Sequence, residues 1–179
     1  RRLRPAWFFQ RTKYGGVLCD IASHQMEQFL TFTGSTDAEV VAATVGNFAN
    51  PSDPELEDFG EVLLRSDHAQ GYMRVDWYTP DGLDQWGDGR VTILGTEGYI
   101  ELRKYIDIAG RPGGNHLFLV DNRETRYIDC NDAPLPYAAN LIADVFDRTE
   151  RAMPQEHCFK VMELALKAEA MATRLGNLR

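Results

Sequence analysis

The sequence predicts an α+β fold, with a large, open, mostly antiparallel β-sheet and helices packed on one of its faces. Three observations lead there. Between residues 39 and 129 the hydrophobic period falls toward two, in β-branched and aromatic runs cut by turn residues, as half-buried strands require. The connections at 67–71 and 95–98 are short enough to close hairpins, so neighbouring strands need no crossover helix. Helical periodicity is confined to the two ends of the chain.

The first helix begins at Val17 and stops near Gly34, which can adopt the left-handed backbone of a C-terminal cap. Leu18, Ile21, Gln25 or Met26 and Phe29 recur at helical spacing as a buried stripe, while Asp20, His24 and Gln28 share another face. Strands are expected over 39–47, 59–66, 70–78, 90–95, 98–103, 116–121 and 125–129. In the third of them Met73, Val75 and Trp77 point one way and Tyr72, Arg74, Asp76 and Tyr78 the other. The first set packs on the core. The second mixes charge with large aromatics, a composition that suits a wet surface or a protein interface. After the turn-rich 131–136, one helix is expected from Tyr137 to about Arg151 and a longer one from near Gln155 to Leu175, ended by Gly176 and Asn177. The long helix is apolar nearly all round, which requires cover on more than one side.

Length and composition fit one soluble domain, taken as 1–179. Acidic side chains outnumber basic ones by 27 to 19, and a net charge of −8 repels a phosphate backbone, so nucleic acid is not an expected partner. Cys19, Cys130 and Cys158 form no C-x-x-C pair and read as free thiols of a reducing cytoplasm. No apolar run approaches the roughly 18 to 20 residues of a membrane helix, and the opening Arg1-Arg2-Leu3-Arg4-Pro5 lacks the apolar stretch of a signal peptide. The expectation is a cytoplasmic protein without membrane contact. The chain starts without methionine, in a segment rich in proline and tryptophan, and reads as a piece of a longer polypeptide.

Asp20 and His24 stand four apart on the first helix, so both side chains reach one region of space. Histidine titrates near neutrality, and a nearby carboxylate stabilises its charged form and orients its ring, as a base acting on a hydroxyl requires. The same spacing also describes an ordinary surface pair. Just before it, Gly15 and Gly16 either allow close approach of a flat ligand or another domain, or simply make a tight turn.

Gly15-Gly16-Val17-Leu18-Cys19-Asp20-Ile21-Ala22-Ser23-His24 resembles the G-G-x-x-x-D-x-x-x-H motif of the glucose-fructose oxidoreductase, inositol dehydrogenase and rhizopine-catabolism (Gfo/Idh/MocA) family. The likeness extends to Glu57-Asp58-Phe59 at a strand opening, to the hairpin Gly95-Thr96-Glu97-Gly98-Tyr99-Ile100-Glu101 and to the terminal helix pair. It implies the C-terminal, substrate-side domain of an NAD(P)-dependent oxidoreductase acting on a sugar, polyol or related carbonyl compound. On that reading His24 is the acid/base, Asp20 positions substrate or imidazole, and Gly15 and Gly16 approach the nicotinamide. Tyr14, Trp7 and His157 are candidate substrate contacts. The family's nucleotide-binding domain holds NAD or NADP and its E-K-P segment supplies a lysine, but this sequence contains neither G-x-G-x-x-G after a strand nor Glu-Lys-Pro, so both are expected upstream. The resemblance also implies a homodimer or homotetramer joined through the sheet face. The competing reading is a noncatalytic sheet module for oligomerisation or ligand binding.

The remaining candidates have ordinary explanations. His68 reads as a solvated turn residue and His116 as an edge or interface residue. Asp81, Asp84 and Asp88 surround glycines without the spacing of an EF-hand loop, and no metal is assigned.

Overall fold

The computed structural model describes residues 4–176. Arg1, Arg2 and Leu3 of the opening segment, and Asn177 of the expected helix stop, lie outside the described residues. The elements in chain order are α1 (Arg11–Tyr14), α2 (Ser23–Thr33), β1 (Glu39–Gly46), β2 (Phe59–Arg65), β3 (Gln70–Asp76), β4 (Arg90–Leu94), β5 (Gly98–Arg103), β6 (His116–Asp121), β7 (Thr125–Asp129), α3 (Tyr137–Asp147), α4 (Gln155–Met171) and β8 (Thr173–Leu175). A 3-10 turn, Ala6–Phe9, precedes α1, and a π-helical turn, Leu18–Ala22, leads into α2.

The α+β class and the antiparallel character hold, but the strands form two four-stranded sheets where one was expected. Their orders are β3-β2-β1-β8 and β4-β5-β6-β7. The physical reason lies at 77–89, where Pro80, Gly82, Gly87 and Gly89 interrupt the chain and leave β4 to pair with β5 rather than β3. The described residues form two compact units, one within Arg1–Tyr78 and Tyr137–Arg179, the other Thr79–Pro136.

In the first unit the sheet buries Ala43, Val45, Val62, Leu64, Met73 and Val75 against Leu18, Ala22, Met26 and Leu30 of the first helical segment and Val161, Leu164, Ala165 and Ala168 of α4. The alternation expected for β3 is present: Met73 and Val75 are buried while Tyr72 and Arg74 are exposed. The cap at Gly34 is present as well, with φ of 67° and its N–H donating to the Thr31 carbonyl.

Two helix termini differ from expectation. The long helix stops at Met171 rather than Leu175, because Ala172 turns to extended backbone and Thr173–Leu175 add to β1 as a parallel edge strand, which covers hydrogen-bonding groups that β1 would otherwise expose. The preceding helix stops at Asp147, where the Asp144 carboxylate accepts the N–H groups of Arg151 and Ala152 and the Thr149 hydroxyl, and so folds the chain back on the helix end. That helix, α3, buries none of its residues within the described structure although Leu141, Ile142, Val145 and Phe146 are apolar, so it does not cover a sheet face as expected.

In the second unit His116 is fully buried rather than at an edge. Its Nδ1 lies 2.7 Å from the Tyr127 hydroxyl and its Nε2 3.0 Å from the Gly113 carbonyl, so both ring nitrogens are satisfied inside the sheet. Asp107 is bonded by Arg111, Arg103 and the Ala109 N–H, and the Arg111 bond above all holds its carboxyl down at about 2. No helix of the described residues is long and apolar enough to cross a membrane.

Candidate active site

The motif begins where α1 ends. Gly15 and Gly16 carry φ of 87° and 100°, two successive left-handed residues that a side chain would strain. The chain then enters the π-helical turn, a wider coil than α that occurs mostly as a single turn and often at functional sites. Val17, Leu18, Ala22 and Met26 point into the core. Asp20 and Gln28, half-buried, and His24, exposed, occupy the face away from it, as the helical spacing predicts.

Burial pushes the Asp20 carboxyl above its ordinary value, against the opposing pull of Arg4 and of His24 nearby. The structure therefore brings Asp20 and His24 into electrostatic reach and adds Arg4 to them. The Arg4 guanidinium lies 4.6 Å from the ring centroid of Phe8 and 5.1 Å from that of Trp77. Phe8 is buried and meets Trp77 edge-on at 5.7 Å and Tyr14 at 5.3 Å. Trp7, in edge contact with Phe8 at 6.1 Å, is exposed. A carboxylate, an imidazole, a guanidinium and aromatic faces thus neighbour one another, a set able to hold a hydroxylated small molecule and move a proton on it.

Tyr14 has another occupation: its hydroxyl accepts the Glu57 N–H at 2.9 Å and donates weakly to the Glu55 carbonyl at 3.5 Å, and burial pushes its titration far above the usual range. His157 stands on α4 with its Nε2 3.6 Å from a Glu27 carboxylate oxygen on α2, and the structure gives it no contact with Asp20 or His24. The space that Gly16 leaves open is filled by the Glu169 carboxylate, with which a Cβ would collide.

Beneath the motif lies a group that the sequence reading missed. Glu57, fully buried, accepts the Val17 N–H at 2.9 Å, and Glu169, 8% exposed, accepts the Leu18 N–H at 3.2 Å. Arg11 donates its Nε to Glu57 at 2.8 Å and its Nη2 to Glu169, and Arg174 donates to Glu57 at 2.6 Å. Burial, then the charge of Glu57, push the Glu169 carboxyl up to about 7. Burial, then Glu169, push the Cys19 thiol up to about 11. One signal was available: Glu169 falls on the stripe of α4 otherwise made of Val161, Leu164, Ala165 and Ala168, where a charged residue needs a partner.

The described residues include no parallel strand–turn–helix unit with a glycine-rich phosphate cradle. The parallel pair, β1 with β8, is an edge contact between distant segments. The pyrophosphate of a dinucleotide therefore finds no such cradle among the described residues.

A family model described as the GFO/IDH/MocA C-terminal domain matches residues 1–101. Among solved structures, one designated an oxidoreductase from Erwinia carotovora atroseptica is 47% identical, with a TM-score of 0.94 over 98% of this chain and 53% of that one. One designated an oxidoreductase from Thermotoga maritima is 21% identical, with a TM-score of 0.76 over 94% of this chain and 48% of that one. KijD10, a 3-ketoreductase from Actinomadura kijaniata in complex with TDP-benzene and NADP, is 15% identical, with a TM-score of 0.61 over 90% and 48%. The last two share the fold. The chain spans about half the length of each of these proteins. No curated protein matches. With its motif turn, its antiparallel strands and more than half of its length matched, the chain belongs to the GFO/IDH/MocA C-terminal domain family of oxidoreductases.

Proposed function

We propose that the chain is the substrate-side domain of an NAD(P)-dependent oxidoreductase that moves a hydride between the nicotinamide and a sugar, polyol or related carbonyl compound. The observation that carries this reading is the motif segment: Gly15 and Gly16 at positive φ lead into a π-helical turn carrying Asp20 and on into α2 carrying His24, the two on one outward face. KijD10, which shares the fold, was solved with NADP, and the proposal brings that class of cofactor to the full-length protein. When bound by another part of the polypeptide, the nicotinamide accepts or donates the hydride.

The residues of this chain handle the proton. As a carbinol is oxidised, its hydroxyl proton passes to the His24 imidazole; in reduction His24 returns a proton to the carbonyl oxygen. Asp20, within electrostatic reach of His24, positions the substrate or the imidazole. Trp7, exposed beside Phe8, offers an aromatic face for the carbon skeleton of the ligand.

The test uses the full-length protein, with steady-state oxidation of D-glucose and myo-inositol by NAD or NADP as probe reactions. His24→Ala is expected to lower kcat by roughly 100- to 10,000-fold, the usual loss when a positioned acid/base is removed. Unchanged turnover would return Asp20 and His24 to the surface-pair reading. The proposal also includes self-association through the outer face of the β1–β3 sheet, where Tyr72 is 64% exposed beside Arg74.

A further inference from the structure

The proton chemistry just proposed makes no use of Glu57 and Glu169, yet both carboxylates are buried and every oxygen on them is bonded. Glu57 Oε1 takes Arg11 and Arg174, and its Oε2 takes the Val17 N–H. Glu169 Oε1 takes Arg11, and its Oε2 takes the Leu18 N–H. Burying two like charges is unfavourable, and well-packed apolar side chains often do as well or better for stability. A carboxylate pair does something apolar side chains cannot: it fixes the positions of two backbone N–H groups. These are free donors at the start of a helical segment, where the backbone dipoles favour negative charge.

The location gives that grip a consequence. Val17 and Leu18 open the π-helical turn, and Asp20 lies within it. Gly16 presses against the Glu169 carboxylate with no room for a side chain, so backbone and carboxylate are in direct contact at the turn's first residues. The carboxylates arrive from separate elements, Glu57 from the segment before β2 and Glu169 from α4, and Arg11 of α1 joins them.

We infer that Glu57 and Glu169, bridged by Arg11, are positioning residues that hold the Val17 and Leu18 amides and thereby set where Asp20 and His24 stand. The inference rests on the proposed reading of Asp20 and His24 as the proton-handling pair. The groups facing Glu169 are Glu57, Arg11 and Cys19, with Tyr14 within electrostatic reach and Arg174 behind Glu57. Protonation of Glu169 removes the charge that holds Arg11 and the Leu18 amide, so the grip on the turn weakens.

Hydrogen exchange on the folded chain, read residue by residue, tests the grip without any substrate. In Glu169→Gln and Glu57→Gln, exchange at Leu18 and Val17 respectively is expected to quicken roughly tenfold or more, the loss that follows removal of a charge-assisted hydrogen bond, while amides late in α2 keep their rates. Should Glu169→Gln fail to fold, Glu169→Asp, which withdraws the oxygens by one methylene, reads the same amide. In the full-length protein, with NADP and myo-inositol or D-glucose as probes, Glu169→Gln is expected to lower kcat by up to about 100-fold with KM nearly unchanged, and to remove an inflection from the kcat–pH profile. Unchanged exchange at Leu18, or exchange quickened uniformly through α2, overturns the inference. Failure of the proton-handling reading looks different: His24→Ala then turns over like its parent, while the exchange result still decides whether the carboxylates hold the turn.

Discussion

Glu169 is a residue whose protonation the fold has altered, and the sign of the consequence follows from where it titrates. Its folded-state value is about 7, above the ordinary glutamate value of 4.5, so between those values the folded chain keeps a proton that the unfolded chain has lost. Its contribution to stability is therefore greatest below 4.5 and is lost as pH rises through about 7. Thermal unfolding across this window should show a melting temperature that falls with rising pH in the parent and a flatter profile in Glu169→Gln. Equal slopes would mean that Glu169 titrates as an exposed carboxyl does. The Asp20–His24 pair was legible in the sequence because helical spacing alone brings it together. The carboxylates beneath it were not, since Glu57 and Glu169 lie far apart along the chain: Glu57, read locally, looks like a solvated charge, and Glu169, on the apolar stripe of α4, calls for a partner without naming it. Only the folded topology makes Arg11 their common partner.

Among the elements, the strands were read closely because their signal is local: β3 alternates, and the β4–β5 hairpin turns at 95–98 with a Gly95 N–H bonded to the Gly98 carbonyl. That alternation makes a stability prediction within one strand. Met73→Ala removes a buried side chain beneath the sheet and should cost about 2 to 5 kcal/mol, whereas Tyr72→Ala on the outer face should change stability by about 0.5 kcal/mol or less, both measured by urea unfolding. Reversed effects, with Tyr72→Ala the costlier, would mean that the strand register is wrong by one residue. What escaped the sequence were features fixed by tertiary contact. The π-helical turn shows the same apolar spacing as an α-helix, and β8 continues a helical pattern but is drawn into extended backbone by the open edge of β1. The sheet count escaped for a similar reason, since alternation identifies strands without saying which strand each one pairs with.

For the whole molecule, self-association through the sheet face predicts a dimer or larger species by sedimentation equilibrium, and Tyr72→Glu should dissociate it. Tyr78 is unsuited to this test because its hydroxyl donates at 2.6 Å to buried Asp58, which also accepts the N–H groups of Phe48 and Ala49 and so anchors the loop after β1. A monomer mass for the unmodified protein would contradict the proposed association and leave the motif untouched. The central claim is that Asp20 and His24 act as one proton-handling unit in a nicotinamide-dependent oxidoreductase. Its most direct measurement is a double-mutant cycle on kcat in the full-length protein, comparing Asp20→Asn, His24→Ala and the double variant. Residues that act as a unit are grossly non-additive, so the double variant is predicted to lose little more activity than His24→Ala alone. Losses that multiply, or no loss in either single variant, would contradict the account.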